Sequence, residues 1–544
     1  MPPSALNGAD VGDLVLAEIV PGRRLGLARA EVRERIGRPD DPSTISLMTA
    51  VASGLPLSFP PEALEQAAAA TPVEELGRRE DLRGIDLVTI DGEDARDFDD
   101  AVWAAPDADP KNPGGYRLVV AIADVAHYVR PGDALDDEAR KRGNSVYFPD
   151  RVIPMLPEAL SNNLCSLRPD EDRACLACEM TIDQDGELRR WRFTRGLMRS
   201  RARLTYTRVQ AAFEGNPDEQ TGPLLETVIK PLYAAFDRLL EARKKRGTIE
   251  LDLAERKVVF DERGEPVGVE PRRRQASNML IEEFMIAANV AAASLLDDAR
   301  QPCLYRVHDK PDPVRLEALA QFLERLGVPW SRSGKRPGDF TKLLAGLTEP
   351  GGMRDLVSTL VLRSQAQAVY APENIGHFGL NLKRYAHFTS PIRRYSDLVV
   401  HRALIRRLGL GEGGLPPGVD EPQLASMGDH LSRTERRAME AERRAFERFT
   451  ARFMASQVGA RFRGRVTGTA GFGLFVVLDD TGAEGLVPVS TLGPEFFVLD
   501  EAHHALVGQS SGEAFGLGDA VEVTLVEADP VQGTLLFRLE EHER

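Results

Sequence analysis

At 544 residues the chain is too long for one compact core, so two to four domains are expected. Its hydrophobic share of 42% beside 28% charged residues excludes a disordered chain, and the longest mostly apolar stretch, near Ile286–Leu296, falls far short of a membrane span. The net charge of −15 argues against a protein that coats nucleic acid indiscriminately, yet arginines gather at Arg272–Arg274, Arg393–Arg394, Arg406–Arg407 and from Arg433 to Arg448.

The opening MPPSALNGADVGD lacks a basic segment followed by an apolar one, so no secretory signal is expected. Four cysteines make no disulfide framework, and a reducing cytoplasm fits best, with no membrane association and a monomeric state. Residues 1–75 read as a small accessory unit. Val15–Val20 suggests a short strand, Arg29–Ile36 and Thr44–Ala52 short helices, and Pro60–Pro61 a further helix start. Two helices joined by GRPDDPS suggest a helix-turn-helix-like arrangement.

From about residue 80 strands alternate. Ile85–Ile90 runs into an acidic segment, Ala101–Ala105 resumes strand character, and Tyr116–Val125 pairs with it across the turn DADPKNPGG. Between about 200 and 455 the pattern is mostly helical, with amphipathic runs Pro223–Lys245, Asn278–Asp298, Val314–Leu326 and Asp355–Tyr370. A long arginine-rich helix is predicted over Gln423–Val458. After 456 short strands separated by Gly-rich turns suit a small five-stranded barrel.

Two segments carry chemistry. The first, IDGEDARDFDDA, places Asp91, Asp97, Asp99 and Asp100 just past the end of a buried strand. Carboxylates crowded there repel one another unless cations neutralise them, and an oxygen-only set suits Mg²⁺ or Mn²⁺ rather than zinc. A solvated acidic loop is the bland alternative; an EF-hand is disfavoured because neither its sixth-position glycine nor its twelfth-position glutamate is present. The second, NLKRYAHFTSPIRRYSDLVVHR, predicts a helix starting at Pro391 with Arg393 and Arg394 in its first turn, where an anion would be welcome. Ion pairs to Asp397 or to glutamates elsewhere are the competing explanation.

These segments, with SNMLIEEFMIAAN (277–289), LYRVHDKPDP (304–313) and LPEALSNNLCSLRP (156–169), occur in an order that resembles the RNase II/RNase R (RNB) family over roughly 80–455. The resemblance implies a multidomain α+β protein: an RNB catalytic domain over 76–455 with a mixed sheet among helices, then an OB-fold RNA-binding barrel of the ribosomal-protein type over 456–544. It implies a hydrolytic 3′→5′ exoribonuclease acting on single-stranded RNA, the alternative being a catalytically silent RNA-binding protein of the same fold. It also implies a metal site at Asp91, Asp97, Asp99 and Asp100, with Asp99 most needed for turnover. Arg393 would steady the scissile phosphate, Tyr147 would stack on a 3′ base, and Glu282 or Glu283 would contact the terminal nucleotides.

Two departures stand out. Relatives often carry a second clamping aromatic near RGTIELD (246–252), where the nearest candidate here is Leu251, and 75 residues cannot hold the two cold-shock domains usual before the core, so a remnant of one is the other reading of that unit. In the barrel, Phe472 and Phe475 among glycines and arginines suggest a base-stacking platform. Residues 456–544 hold five Arg and no Lys against fourteen Asp and Glu, a net of −9, so only a modest contribution to RNA affinity is expected. Cys175-x-x-Cys178 lies in a strand-like run whose positions three apart face opposite ways, which argues against a metal site. His127, His308, His387 and His401 are scattered and read as structural. No P-loop, dinucleotide fingerprint or GxSxG element occurs.

Overall fold

A computed structural model describes residues 5–24, 27–251, 255–330, 334, 336–347, 353–500 and 504–540. At its centre lies a five-stranded sheet in the order Glu80–Asp81, Leu188–Arg199, Asp172–Ile182, Tyr116–Ala123, Asp100–Pro106. Every pairing is antiparallel except that of Glu80–Asp81 with Leu188–Arg199. Helices cover both faces, which explains the nearly unbroken apolar run in Tyr116–Ala123. Within Asp172–Ile182, Cys178 packs under the helix side that carries Phe284, whereas Cys175 packs with Leu398 and Tyr395 on the other face. All four cysteines are free and buried, and Cys175 and Cys178 face opposite sides of their strand.

The helix Ala276–Asp298 is long and apolar enough to cross a membrane, but 72% of its most apolar window is buried inside the protein. It is a core helix whose small residues let it lie flat against the sheet; Ala288, Ala291 and Ala292 are fully buried. The helix Glu421–Ala455, started by an Asp420/Gln423 capping box, spans about 52 Å at 1.5 Å per residue. It acts as a spine. Arg448 reaches Val531 of the C-terminal barrel, Arg452 pairs with Glu265, and Phe449 packs on Ile45 and Val258.

The N-terminal unit differs from the helix-turn-helix expectation. Leu14–Arg24 and Leu27–Gly37 form an antiparallel hairpin, and only Ser43–Ala52 and Pro61–Ala69 are helices. The stretch 29–36 is rich in helix formers, but Val32 faces inward while Arg33 and Arg35 pair across the hairpin with Glu18 and Asp13. Cross-strand pairing overrides propensity there.

The C-terminal strands Arg461–Ala470, Gly473–Leu478, Glu484–Pro488, Thr534–Leu539 and Ala520–Asp529 close into the expected barrel. Val466, Leu474, Val476, Val523 and Phe537 fill it.

Candidate active site

The strand Thr89–Asp91 pairs in parallel with Arg203–Thr205 and hands the chain to a loop that re-enters the main sheet at Asp100. The loop is fixed by its backbone. Phe98 donates its N–H to Ser166 Oγ at 3.0 Å, Ser166 in turn donates to the Arg96 carbonyl at 2.8 Å, and Arg203 holds the Gly92 carbonyl at 3.0 Å. Ser166 belongs to the segment 156–169, so its part here is to lock the acidic loop in place.

The carboxylates are therefore not splayed into solvent. Asp99 is 5% exposed. Its Oδ1 accepts the backbone N–H of Ile392 at 2.8 Å, while Oδ2 is buried without a donor among the described residues and stands 3.9 Å from Arg393 Nε. Burial raises the Asp99 carboxyl well above the usual carboxylate range, with Arg393 opposing and Asp97 and Asp100 adding to the rise. Asp100 is pushed up to about 7 by burial and by the charge of Asp91. Asp91 is also raised, by burial first, with the Gly92 N–H opposing and Asp97 reinforcing. Asp97 Oδ2 accepts the Tyr147 hydroxyl at 3.0 Å.

Four carboxylates thus share one enclosed field, with an orphaned anionic oxygen among them and the guanidinium groups of Arg393 and Arg203 at its edge. Among the described residues no three Asp, Glu, His or Cys side chains close around one point as a finished cage would. The donor set still fits a hard divalent cation: all oxygen, strongly repulsive without one, and with Asp99 Oδ2 unsatisfied.

Arg393 lies in a turn, not in a helix. The helix begins only at Tyr395, with Arg394 as its cap, because Pro391–Arg393 form a turn in which the Arg393 and Arg394 N–H groups both point to the Ser390 carbonyl. The turn is pinned from two sides: Ser145 donates its N–H to the Arg393 carbonyl, and Asp397 Oδ1 accepts the Ser390 N–H at 2.8 Å. Arg394 does not reach the acidic field. It forms a two-pronged ion pair with fully buried Asp397, at 2.9 and 2.8 Å.

Tyr147 joins the site with its ring exposed and its hydroxyl on Asp97. Its hydroxyl is held more weakly acidic than usual by burial and by Asp97. Gly143 makes this approach possible: at φ +78° it sits against the long helix, and a Cβ there would lie 2.1 Å from Thr434 Oγ1.

Glu283 is 4% exposed and paired with Arg243 at 2.6 Å, whereas Glu282 is half-buried, beside Arg274 and 3.3 Å from the same Arg243. Neither contacts the aspartates. Leu251 packs into the helical cluster of Leu319, Leu323 and Phe340, so no second clamp arises from it. Phe472 is 60% exposed and meets Phe475 edge to face at 6.0 Å. Phe462 leans into the barrel core. The histidines are structural: His308 Nε2 contacts the Ala366 carbonyl, His387 Nδ1 the Tyr370 hydroxyl, and His401 Nε2 the Phe388 carbonyl.

Two residues are absent from the sequence-level site. Glu442, on the long helix, accepts the Tyr147 N–H at 2.7 Å, and its carboxyl is raised by burial. Tyr206 is held more weakly acidic than usual, by burial and then by Asp91 and Asp100, and lines a cleft of about 1440 Å³ that also touches Gly92, Arg272, Arg363 and Arg465. Both come from elements distant in sequence, and neither sits in a motif.

Residues 79–409 match the RNB domain family, carrying this loop, the Arg393 turn and the central sheet together. The chain belongs to the RNase II/RNase R (RNB) family. Residues 1–60 match the cold-shock domain family and 456–535 the S1 RNA-binding domain family. The hairpin therefore represents a cold-shock element, and the barrel an S1-type OB fold. Ribonuclease R of Escherichia coli is 41% identical over 567 residues, which cover 100% of this chain and 68% of that protein. Ribonuclease R of Vibrio parahaemolyticus is 41% identical over 557 residues, covering 99% and 65%. The chain thus spans about two thirds of the length of these relatives. Mycoplasma genitalium RNase R, solved in complex with ribose-methylated single-stranded RNA, superposes with a TM-score of 0.91 at 26% identity over 99% of this chain and 84% of that one.

Proposed function

We propose that this RNB protein is a hydrolytic 3′→5′ exoribonuclease that degrades single-stranded RNA to nucleoside 5′-monophosphates. It acts as a cytoplasmic monomer with Mg²⁺, for which Mn²⁺ can substitute. The observation that carries the reading is the buried, donorless Oδ2 of Asp99, 3.9 Å from Arg393, inside a field of like charges. Such an arrangement costs stability unless a cation and a polyanionic substrate complete it.

Asp91, Asp97, Asp99 and Asp100 are the residues that would hold the metal. A divalent ion held there would supply Lewis acidity at the phosphate and lower the pKa of a bound water. The protein's own groups do the rest. Arg393, whose nearest carboxylate among the described residues is that of Asp99, neutralises charge building on the phosphate in the transition state. Tyr147 presents its ring to the terminal base while its hydroxyl steadies Asp97, and Glu442 fixes the Tyr147 backbone. Glu282, half-buried where Glu283 is enclosed, is the better placed of the two glutamates to meet a terminal nucleotide. Phe472 and Phe475 offer stacking surface farther along the strand.

The test is a 5′-labelled single-stranded RNA incubated with Mg²⁺. A ladder shortening one nucleotide at a time, with 5′-monophosphates released, is expected. Retardation of the label without shortening would establish a silent binder, and equal cutting of a deoxyribose strand would overturn the RNA assignment.

A further inference from the structure

The outer face of the long helix carries a basic patch that the catalytic reading leaves unused. Arg433, Arg436, Arg437 and Arg444 line a depression of about 460 Å³ with Glu440, Ala52 and Ser53. Glu440 is already neutralised by Arg444. Arg433 and Arg436 are exposed, with no hydrogen bond or ion pair among the described residues. Arg437 donates to the Gly54 carbonyl at 3.3 Å, which accounts for one of its nitrogens, but its Nε is buried with no acceptor. Four cations against one carboxylate repel across successive helical turns, and a buried guanidinium N–H left unpaired costs stability. Both point to an anion.

The patch faces away from the active site, on the opposite side of the same helix. On the same helix Ala438, Ala441 and Ala445 pack on Val146 and Phe148, which flank Tyr147, and Glu442 binds the Tyr147 N–H. Arg433 lies nine residues before Glu442, about 14 Å along the axis and about two and a half turns round it, so the two side chains leave opposite sides of the helix. From Arg433 through Arg437 to Arg444 the arginines run along the axis at intervals of about 6 and 10 Å, a line of cations suited to a chain of phosphates rather than to one small ion. The lining offers no apolar centre of the kind a protein partner needs.

We infer that this face is an auxiliary site for the phosphodiester backbone of RNA, holding the part of a long substrate that lies outside the catalytic cleft. The inference rests on the exoribonuclease reading for its choice of anion. It predicts that long RNA is held by more phosphate contacts than a short oligonucleotide ending inside the cleft.

The test is the double variant Arg433→Glu/Arg436→Glu, whose side chains support nothing else in the fold. Binding is measured with a chelator present so that no RNA is cut. Affinity for a long unstructured RNA should fall at least about tenfold, and the slope of log affinity against log salt should shrink by about 1.4, two contacts at roughly 0.7 each for a single strand. Affinity for a short oligonucleotide should change less than about twofold. An unchanged salt slope for long RNA overturns the site, as does an equal loss for long and short RNA. Because binding is read with cleavage suppressed, a parental protein that binds RNA but makes no ladder would strike the exoribonuclease reading alone.

Discussion

At the scale of single residues, the site is governed by what each charged group finds within reach. Asp99 has one oxygen on a backbone N–H and one on nothing, so replacing it with Asn removes the unmatched charge while keeping the Ile392 hydrogen bond. Asp99→Asn should lower kcat by about 10³-fold or more and leave RNA affinity in place, by single-turnover kinetics beside a binding titration. A variant with normal turnover would refute the role. Arg393→Lys keeps the charge but loses the planar fork, and kcat should fall by about 10²–10³-fold. Retention of more than half the parental rate would mean that charge alone suffices. Neighbouring Arg394 teaches the opposite lesson. Both arginines look alike in SPIRRY, and only the fold shows that Asp397 claims one of them.

At the scale of elements, ion pairs between strands decide how firmly the site is framed. Asp124, at the end of Tyr116–Ala123, is fully buried and bound by Arg79 and Arg195, each at 2.8 Å. Burial alone would raise its carboxyl, but Arg195 and Arg79 overcome that and hold it far below the usual range. Because the folded value is depressed, the stabilisation is complete above the unfolded pKa of about 3.9 and is lost as the pH falls toward the folded one. Asp124→Asn, which strands two guanidinium groups, should destabilise the protein by about 3–5 kcal/mol at neutral pH. The gap from the parental protein should narrow below about pH 3.9 in denaturant titrations; a gap that stays constant with pH would show that the pair does not govern stability. Elements were largely legible in sequence where one period dominated. The helix at 276–298, the long arginine-rich helix and the five barrel strands all lie where apolar spacing placed them. The N-terminal hairpin was not legible, because AEVRERI has the composition of a helix and owes its strand to pairing with Leu14–Arg24.

At the scale of the molecule, the long helix joins four bodies: the cold-shock hairpin unit, the RNB core, the small hairpin at 256–271 and the S1 barrel. The barrel carries net negative charge, so its contribution to RNA binding must come through exposed rings such as Phe472. Phe472→Ala should weaken binding of long RNA by about fivefold, near the low end of the 1–3 kcal/mol that stacking supplies. A hundredfold loss in the same titration would make the barrel the principal anchor instead.

The sequence by itself determined the family, the acidic cluster and the presence of Arg393 beside it in the motif order, because each is written in contiguous residues whose chemistry is unusual. Only the tertiary structure decided that Asp99 is the unsatisfied member, that Arg394 is spent on Asp397, that Glu283 is spent on Arg243, and that Glu442 and Tyr206 belong at the site. Those are questions of which partner arrives from far along the chain, and desolvation and pairing are settled only when distant segments come together.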